Sequence, residues 1–174
     1  MSVRNFPKAQ DSIDLLNLLK EIGINFYQNG DELRILNSFP ECEVKTDDVV
    51  ELFAGEGGTT IRFVLPLLSL GNNEYHVKFS GRMLERPMDE LYQTLSTLGA
   101  QITKTSEGVK VKGPIDLKLT AFIDCDKSSQ FASAFELLKM KSDHHIEYHN
   151  LNHSLKYVEM TRDLVDYFRE QKTY

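Results

Sequence analysis

The chain has 174 residues, a mass of 20.0 kDa and a formal charge of −6. Its 41% hydrophobic and 26% charged residues are typical of a folded globular domain and argue against intrinsic disorder. The acidic balance disfavours nucleic-acid binding, and the longest apolar stretch, 63–70, is far shorter than the roughly 20 residues of a membrane helix. Two cysteines outside any C-x-x-C pair and an N-terminus without an apolar signal segment lead us to expect a cytoplasmic protein.

The first predicted elements occur a second time later in the chain. An offset of 76 residues aligns Leu15 with Leu91 and Gly23 with Gly99. In each copy, apolar residues three and four apart predict an amphipathic helix that ends at the glycine, where a left-handed cap would stop it. Two strands joined by a polar turn follow in each copy, at 24–27 and 32–36 and again at 101–104 and 109–112.

The segments between and after these copies follow a related order. The first segment is predicted to contain, in turn, a strand, a glycine-rich loop, an apolar helix and a strand, at 43–52, 55–58, 59–70 and 75–79. The second is predicted to contain a short strand, a helix, a strand and a final helix, at 122–123, 128–139, 145–148 and from about Tyr157 onward.

The resulting order, β-α-β-α-β-β, predicts one domain over 1–174 that is built from related units. A partial unit spans 1–42, a complete unit 43–120 and a second partial unit 121–174. Repeated units bury one another's helices and are poorly stable with uncovered ends. We therefore expect the chain to be a piece of a larger fold or to pair with a partner.

A glycine-rich run, Gly55-Glu56-Gly57-Gly58-Thr59-Thr60, precedes the predicted helix at 59–70. Glycines let backbone N–H groups turn toward a ligand, and the start of a helix favours an anion. The alternative is a flexible loop in which Thr59 merely caps the helix. The run lacks the Gly-Lys-Ser/Thr ending of a nucleotide-binding P-loop.

Two further polar clusters stand at predicted helix starts. Arg82 and Arg86, just before Pro87, could clamp a carboxylate or phosphate, or could form structural ion pairs with Glu85. The run Asp126-Lys127-Ser128-Ser129-Gln130 offers two hydroxyls and an amide for a phosphate or hydroxyl group. Its alternative interpretation is capping of the helix by Ser128.

Four histidines lie close together, at His144, His145, His149 and His153. On a helix, the last three would share one face and could bind a metal ion. Apolar Ile146 and Tyr148 alternate with polar neighbours, however, which is the periodicity of a strand. We therefore predict a strand here and no metal site.

In chain order the three clusters lie in the motifs ELFAGEGGTTIRF, GRMLERPMDEL and DKSSQFASAF. Together these motifs resemble the 5-enolpyruvylshikimate-3-phosphate synthase (EPSP synthase) family, over about residues 12–168. The resemblance implies an inside-out α/β fold of the α+β class, in which βαβαββ units place helices inside and sheets outside. Family members have two lobes of three units each, and this chain resembles the larger part of one lobe.

The resemblance also implies an activity and its contacts. The family transfers the enolpyruvyl group of phosphoenolpyruvate to shikimate 3-phosphate and releases phosphate, in the pathway to chorismate and the aromatic amino acids. It implies phosphoenolpyruvate contacts at Gly58 and Arg82, with Thr59 in the same substrate-binding loop. The contacts implied for shikimate 3-phosphate are Ser128, Ser129, Gln130, Ser154 and Tyr157.

Departures from the family pattern limit this expectation. Glu56 stands where the family has asparagine, and a carboxylate there would repel an anion unless it is paired or turned away. Lys156 replaces the usual proline before Tyr157. The family's N-terminal Lys-Ser…Arg strand and its opposite lobe, which supplies the proton-transfer groups, have no counterpart here. No catalytic residue, cofactor or metal is therefore assigned.

Two functional classes remain open from the sequence. The chain is expected to be one lobe of a synthase that is catalytic only with the second lobe, or a stand-alone relative that binds anions or partners without catalysis. The related UDP-N-acetylglucosamine enolpyruvyl transferases fit less well, because the Ser-Ser-Gln and Arg-Met-x-x-Arg-Pro runs resemble the shikimate enzyme.

Overall fold

The computed structural model of the chain describes residues 2–151 and 155–171. In the first unit, β1 (Ser2–Arg4) precedes α1 (Gln10–Glu21), β2 (Phe26–Asn29) and β3 (Glu32–Ile35). The three strands form an antiparallel sheet in the order β1-β3-β2. The sequence did not predict β1, because three residues are too few to show a periodicity.

The second unit contains every element of the predicted βαβαββ order. It runs through β4 (Val50–Phe53), α2 (Gly58–Leu68), β5 (Glu74–Lys78), a 3-10 turn (Gly81–Glu85), α3 (Asp89–Thr97), β6 (Gln101–Lys104) and β7 (Gly108–Lys112). Its sheet has the order β4-β5-β7-β6, in which β4 and β5 are parallel and the other pairs antiparallel.

The predicted strand at 43–52 is wrong for its first seven residues, since β4 begins only at Val50. The Glu43 carboxylate accepts hydrogen bonds from the backbone N–H groups of Asn72 and Asn73 and from the Tyr75 hydroxyl (2.7 Å). This segment is thus bound through a side chain to the turn before β5. A sequence pattern that resembles a strand does not reveal such a side-chain anchor.

The third unit has two strands among the described residues. It comprises β8 (Ala121–Asp124), α4 (Gln130–Leu138), β9 (Ile146–His149) and α5 (Leu155–Gln171). The two strands are parallel, as β4 and β5 are in the second unit. The strand predicted around the histidines is confirmed.

The predicted glycine caps are present in both copies of the repeat. Gly23 and Gly99 have φ angles of +92° and +110°, the left-handed region that glycine adopts without steric cost. The N–H after each glycine reaches back to the helix, from Ile24 to the Leu19 carbonyl at 2.9 Å and from Ala100 to the Leu95 carbonyl at 3.0 Å. Both helices therefore end in the same Schellman-type bond, at positions that the 76-residue offset relates.

The core lies where the first helices of the second and third units meet. Helix α4 packs against both α2 and α5, while β7 of the second sheet contacts α2 and β8 of the third sheet contacts α4. Leu65, Phe131 and Phe135 are fully buried at the centre. The arrangement of inner helices and outer sheets agrees with the predicted fold class, and it brings the starts of α2 and α4 side by side.

Candidate functional site

A cavity of about 870 Å³ opens between the starts of α2 and α4, the loop at 86–87 and one side of α5. Its wall includes Thr59, Arg86, Lys127, Ser129 and Tyr157. The predicted glycine loop and the Ser-Ser-Gln cluster therefore do meet at one place. They meet because the parallel first helices of two repeat units begin at the same end of the core.

Arg62 is the buried centre of this region. Its side chain is 2% exposed, and its guanidinium lies 5.2 Å from the centre of the Phe131 ring. Nη1 donates to Oε1 of Gln130 (2.7 Å) and Nη2 donates to the Pro87 carbonyl (3.1 Å). One side chain thus links α2, the loop after the 3-10 turn and the start of α4.

Gln130 continues this network toward the glycine loop. Its Nε2 donates to Oγ1 of Thr59 (3.0 Å), so the amide bridges Arg62 and Thr59. The hydroxyl of Ser128 accepts the backbone N–H of Gln130 (3.2 Å). The N-cap residue of α4 is nevertheless Ser129, whose side chain makes no capping hydrogen bond, so the alternative interpretation of Ser128 as the cap residue is wrong in its position. Both serines line the cavity. Thr59 does not cap α2, whose N-cap residue is Gly57.

The cavity carries a positive charge within an acidic chain. Among the described lining residues, Arg62, Arg86 and Lys127 are cationic and Asp126 is the single carboxylate. Lys127 Nζ lies 2.7 Å from the Asp126 carboxylate, which neutralises that anion. Burial, reinforced by the charge of Arg86, lowers the pKa of Arg62 to about 10, so the guanidinium stays charged at neutral pH.

Gly58 lets an arginine lie over the start of α2. A Cβ atom at this position would collide with the guanidinium of Arg86. The absence of a side chain therefore allows the cation to approach the helix N-terminus. This close approach gives a physical reason for the last glycine of the loop.

The structure does not bring Arg82 into the cavity. Arg82 is exposed on the 3-10 turn, whereas Arg86, four residues later, lines the cavity wall. Glu56 is also outside it, since its carboxylate lies against Gly81, where an added Cβ would come within 2.6 Å of Oε1. This orientation of the Glu56 side chain reduces the expected repulsion between its carboxylate and a bound anion.

Helix α5 supplies one side of the cavity. Tyr157, predicted as a contact, lies there with Met160 and Leu164, which the sequence analysis did not single out. Ser154 and His153 lie outside the described residues, so the predicted contact of Ser154 stays a prediction. Arg62 was also missed, although its position four residues after Gly58 placed it on the same helix face.

The cysteine that lines the cavity is not an activated nucleophile, and the described part of the chain holds no cluster of metal ligands. Burial raises the pKa of the Cys125 thiol to about 11, so this lining cysteine is protonated at neutral pH. Within 2–151 and 155–171, no group of three or more His, Cys, Asp or Glu side chains could hold a metal ion. No helix in these ranges has the length and apolar character to cross a membrane.

The amino-acid sequence is related to known proteins over nearly its full length. The sequence profile of the family described as EPSP synthase (3-phosphoshikimate 1-carboxyvinyltransferase) matches residues 1–170. A 3-phosphoshikimate 1-carboxyvinyltransferase of Hamiltonella defensa is 33% identical and matches 94% of this chain but 40% of its own length. One from Psychromonas ingrahamii is 32% identical, over 77% of this chain and 33% of its own length.

Solved structures show the same fold. EPSP synthase of Acinetobacter baumannii matches 79% of this chain and 32% of its own chain, with a TM-score of 0.63 and 23% identity. The enolpyruvyl transferase NikO of Streptomyces tendae matches 95% of this chain and 37% of its own, with a TM-score of 0.58 and 15% identity. The chain thus spans between about a third and two fifths of the proteins that it matches.

Proposed function

Since the chain belongs to the EPSP synthase family, we propose that it is the larger part of one lobe of such a synthase. The lobe would contain the partial unit 1–42, the complete unit 43–120 and the partial unit 121–174. Its role is to bind the phosphorylated substrates of enolpyruvyl transfer. A cytoplasmic location belongs to the same proposal, supported by Cys42 and Cys125 being free thiols.

The observation that carries this proposal is the cationic cavity between the two helix starts. A chain with a formal charge of −6 gathers three cations around hydroxyl and amide groups in one concave site. Such a site suits a phosphate monoester, because helix starts and arginines favour anions while the apolar side of α5 can cover a carbon ring. Shikimate 3-phosphate combines both features.

The residue roles in this proposal come from the family resemblance, and the position of the Ser-Ser-Gln cluster and of Thr59 at the cavity supports them. We assign Ser128, Ser129, Gln130 and Tyr157 to shikimate 3-phosphate, together with Ser154. Gly58 and Thr59 belong to the phosphoenolpyruvate side. Arg82 is kept as a phosphoenolpyruvate contact on the resemblance alone, and Arg86 is added because it lines the cavity.

The proposed partner is the second lobe, whether linked to this chain or separate. Helix α5 exposes a stripe of large apolar side chains, Tyr157, Met160, Leu164 and Tyr167, spaced three and four residues apart. Three of these side chains, Tyr157, Met160 and Leu164, also line the cavity. A second lobe closing against it would remove water from the bound anions and strengthen every charge interaction there.

The described cavity offers groups that suit an anion but lacks an evident acid or base for the transfer. Its single carboxylate, Asp126, is paired with Lys127, and Cys125 is protonated. Proton transfers would therefore come from groups outside the described residues. This same observation favours the second candidate function, a non-catalytic module that binds phosphorylated metabolites.

Calorimetric titration tests whether the cavity binds its proposed ligand. Shikimate 3-phosphate should release heat with the chain, and shikimate, which lacks the phosphate, should bind much more weakly. Replacing both Ser129 and Gln130 by alanine should abolish binding, while Ser106→Ala, an exposed serine in the β6–β7 turn, serves as the matched control. The absence of heat at millimolar shikimate 3-phosphate would refute the proposed site.

Reconstitution separates the catalytic lobe from the non-catalytic module. The chain is mixed with a polypeptide that carries the remaining part of a related synthase, and phosphate release is measured with both substrates. Activity that requires both polypeptides supports the lobe. A folded complex that binds shikimate 3-phosphate but releases no phosphate supports the module instead.

A further inference from the structure

The buried guanidinium of Arg62 limits what its neighbour can present to a ligand. Arginine has five N–H donors and no acceptor, so a group that accepts from it must turn an oxygen toward it. In Gln130 that oxygen is Oε1, 2.7 Å from Nη1. The other end of the amide, Nε2, then points away from Arg62 and donates one of its two N–H groups to Thr59.

The rest of the arginine is fixed in place as well. Nη2 donates to the Pro87 carbonyl, and the guanidinium lies over the ring of Phe131. Nε is buried and has no hydrogen-bond partner among the described residues. Keeping a charged group and an unpaired donor out of water costs stability, so apolar packing does not by itself account for this side chain.

We propose that Arg62 is a positioning residue that locks the Gln130 amide so that only N–H donors face the cavity. The inference rests on the proposed function, because it concerns the same anion site. With Oε1 turned toward the enclosed Arg62, Gln130 presents Nε2 rather than its carbonyl to a ligand. The remaining Nε2 proton is available to a ligand oxygen, and that oxygen must be an acceptor.

This lock has a consequence for ligand selection. An unlocked glutamine can flip and accept a hydrogen bond from a hydroxyl or amide with almost equal ease. A locked glutamine can only donate, and its N–H binds an ionised phosphate or carboxylate oxygen more strongly than a neutral acceptor because that hydrogen bond is charge-assisted. The neighbouring positive charge of Arg62 also polarises the amide and strengthens its donor character. The cavity thereby selects anions even though Arg62 itself is almost fully enclosed.

The first test uses the free protein and needs no ligand. In nuclear magnetic resonance spectra, the side-chain amide of Gln130, assigned by its absence in Gln130→Ala, should exchange with solvent more slowly than that of exposed Gln93. Arg62→Lys keeps the charge but cannot reproduce the two-sided guanidinium contact, so it should remove this protection. Equal exchange at Gln130 and Gln93 in the wild-type chain would overturn the lock.

The second test is a double-mutant cycle on the binding of shikimate 3-phosphate. Arg62→Lys should weaken binding about 10-fold, as expected for a charge-assisted hydrogen bond. In the Gln130→Ala background the same change should have an effect below about 2-fold, because Arg62 acts through the amide. Independent, multiplicative losses would show that Arg62 touches the anion directly and would contradict the positioning role.

The two tests separate this inference from the proposed function. If the wild-type chain binds no shikimate 3-phosphate, the proposed function fails, and the exchange rate of the Gln130 amide alone decides on the lock. If binding is present but Arg62→Lys leaves both the affinity and the amide exchange unchanged, the lock fails and the proposed site stands. Thermal unfolding of each variant verifies that the measured chains are folded.

Discussion

The second and third units follow one pattern, but they differ in how much of their strand edges and helix surfaces other elements cover. In the second unit, β5 pairs with β4 on one edge and with β7 on the other. In the third, β9 pairs with β8 on one edge, and no described strand lies on the other. The outer edge of β8 is covered, since the Thr94 hydroxyl donates to the Phe122 carbonyl (2.7 Å).

The helices show the same difference. Leu91 on α3, the second helix of its unit, is fully buried, whereas Leu164 on α5, the second helix of the next unit, is 48% exposed. The exposed stripe on α5 and the open edge of β9 belong to the same unit. The comparison indicates that a hairpin and sheet surface like that of β6 and β7 is what such a unit needs to bury its second helix.

The largest expected effect comes from truncating the two leucines. Leu91→Ala should lower the free energy of unfolding by about 3 kcal/mol, because it leaves a cavity in a closed core. Leu164→Ala should cost less than about 1 kcal/mol, because little of its surface is removed from water. Urea denaturation of both variants measures the difference.

An equal loss of unfolding free energy in Leu91→Ala and Leu164→Ala would contradict the difference between α3 and α5. It would mean that the outer face of α5 is covered in solution, for example by a second copy of the chain. Sedimentation of the wild-type chain at two concentrations shows whether two copies associate through this face.

An intermediate effect is expected at a buried carboxylate that ties α4 to β9 and α5. Glu136 is 1% exposed and accepts hydrogen bonds from the Tyr148 hydroxyl and from Nε of Arg162, with Lys139 Nζ 2.8 Å away. Glu136→Gln should cost about 2 kcal/mol at neutral pH, because Arg162 and Lys139 lose their anionic partner but can still reach water. Chemical denaturation measures this loss.

The loss at Glu136 should depend on pH. Burial raises the pKa of the Glu136 carboxyl, but the hydrogen bonds from Lys139, Tyr148 and Arg162 outweigh it and hold the pKa below the ordinary value of 4.5. Stability from the ionised form is therefore present above about pH 4.5 and disappears as the pH falls below it. The gap between the wild type and Glu136→Gln should narrow in acid, and a constant gap would contradict the role of charge.

The smallest effect concerns the local opening of β9 compared with that of β5. The His145 and His149 carbonyls accept hydrogen bonds from the N–H groups of Ala121 on β8 and of Cys125 just after it. The backbone N–H groups of Ile146 and Tyr148, which alternate with these, therefore face the open edge. Their amides should exchange with solvent about 10-fold faster than those of β5, which is paired on both edges. Hydrogen exchange followed by nuclear magnetic resonance measures both strands in one sample.

Slow exchange at Ile146 and Tyr148 would contradict an open edge. The exchange measurement is then repeated with the second-lobe polypeptide present, to show whether that polypeptide covers the edge of β9. Protection of these two amides only in the mixture would identify β9 as part of the covered surface.

Much of the fold was predictable from short-range patterns. The helices that end at Gly23 and Gly99, the hairpins after them and the strand around His145 follow from local periodicity and from glycine at a left-handed position. The exceptions were β1, which is three residues long, and the segment 43–49, which Glu43 attaches to a neighbouring turn. Both depend on partners far away in the sequence.

The candidate site was predictable in its clusters but not in its individual contacts. The sequence placed Gly58, Thr59 and the Ser-Ser-Gln run at helix starts, and the cavity brings Thr59 and that run together. The residues left Arg82 and Arg86 both open as anion ligands, and only the family resemblance implied Arg82, which stays a prediction. In the structure the backbone is extended at Arg86, directly after the 3-10 turn, and Arg86 lines the cavity. Two arginines four residues apart cannot be distinguished without the path of the chain between them.

The amino-acid sequence by itself determined the repeat, the order of its elements and the chemical types gathered at the helix starts, because spacing and residue type act locally. Only the tertiary structure decided which cations line the cavity, that Glu56 turns toward Gly81 and that Arg62 is enclosed beside Gln130. These features depend on how α2 and α4 pack side by side. Packing between distant segments sets burial and direction, and these in turn decide which polar groups can reach a ligand.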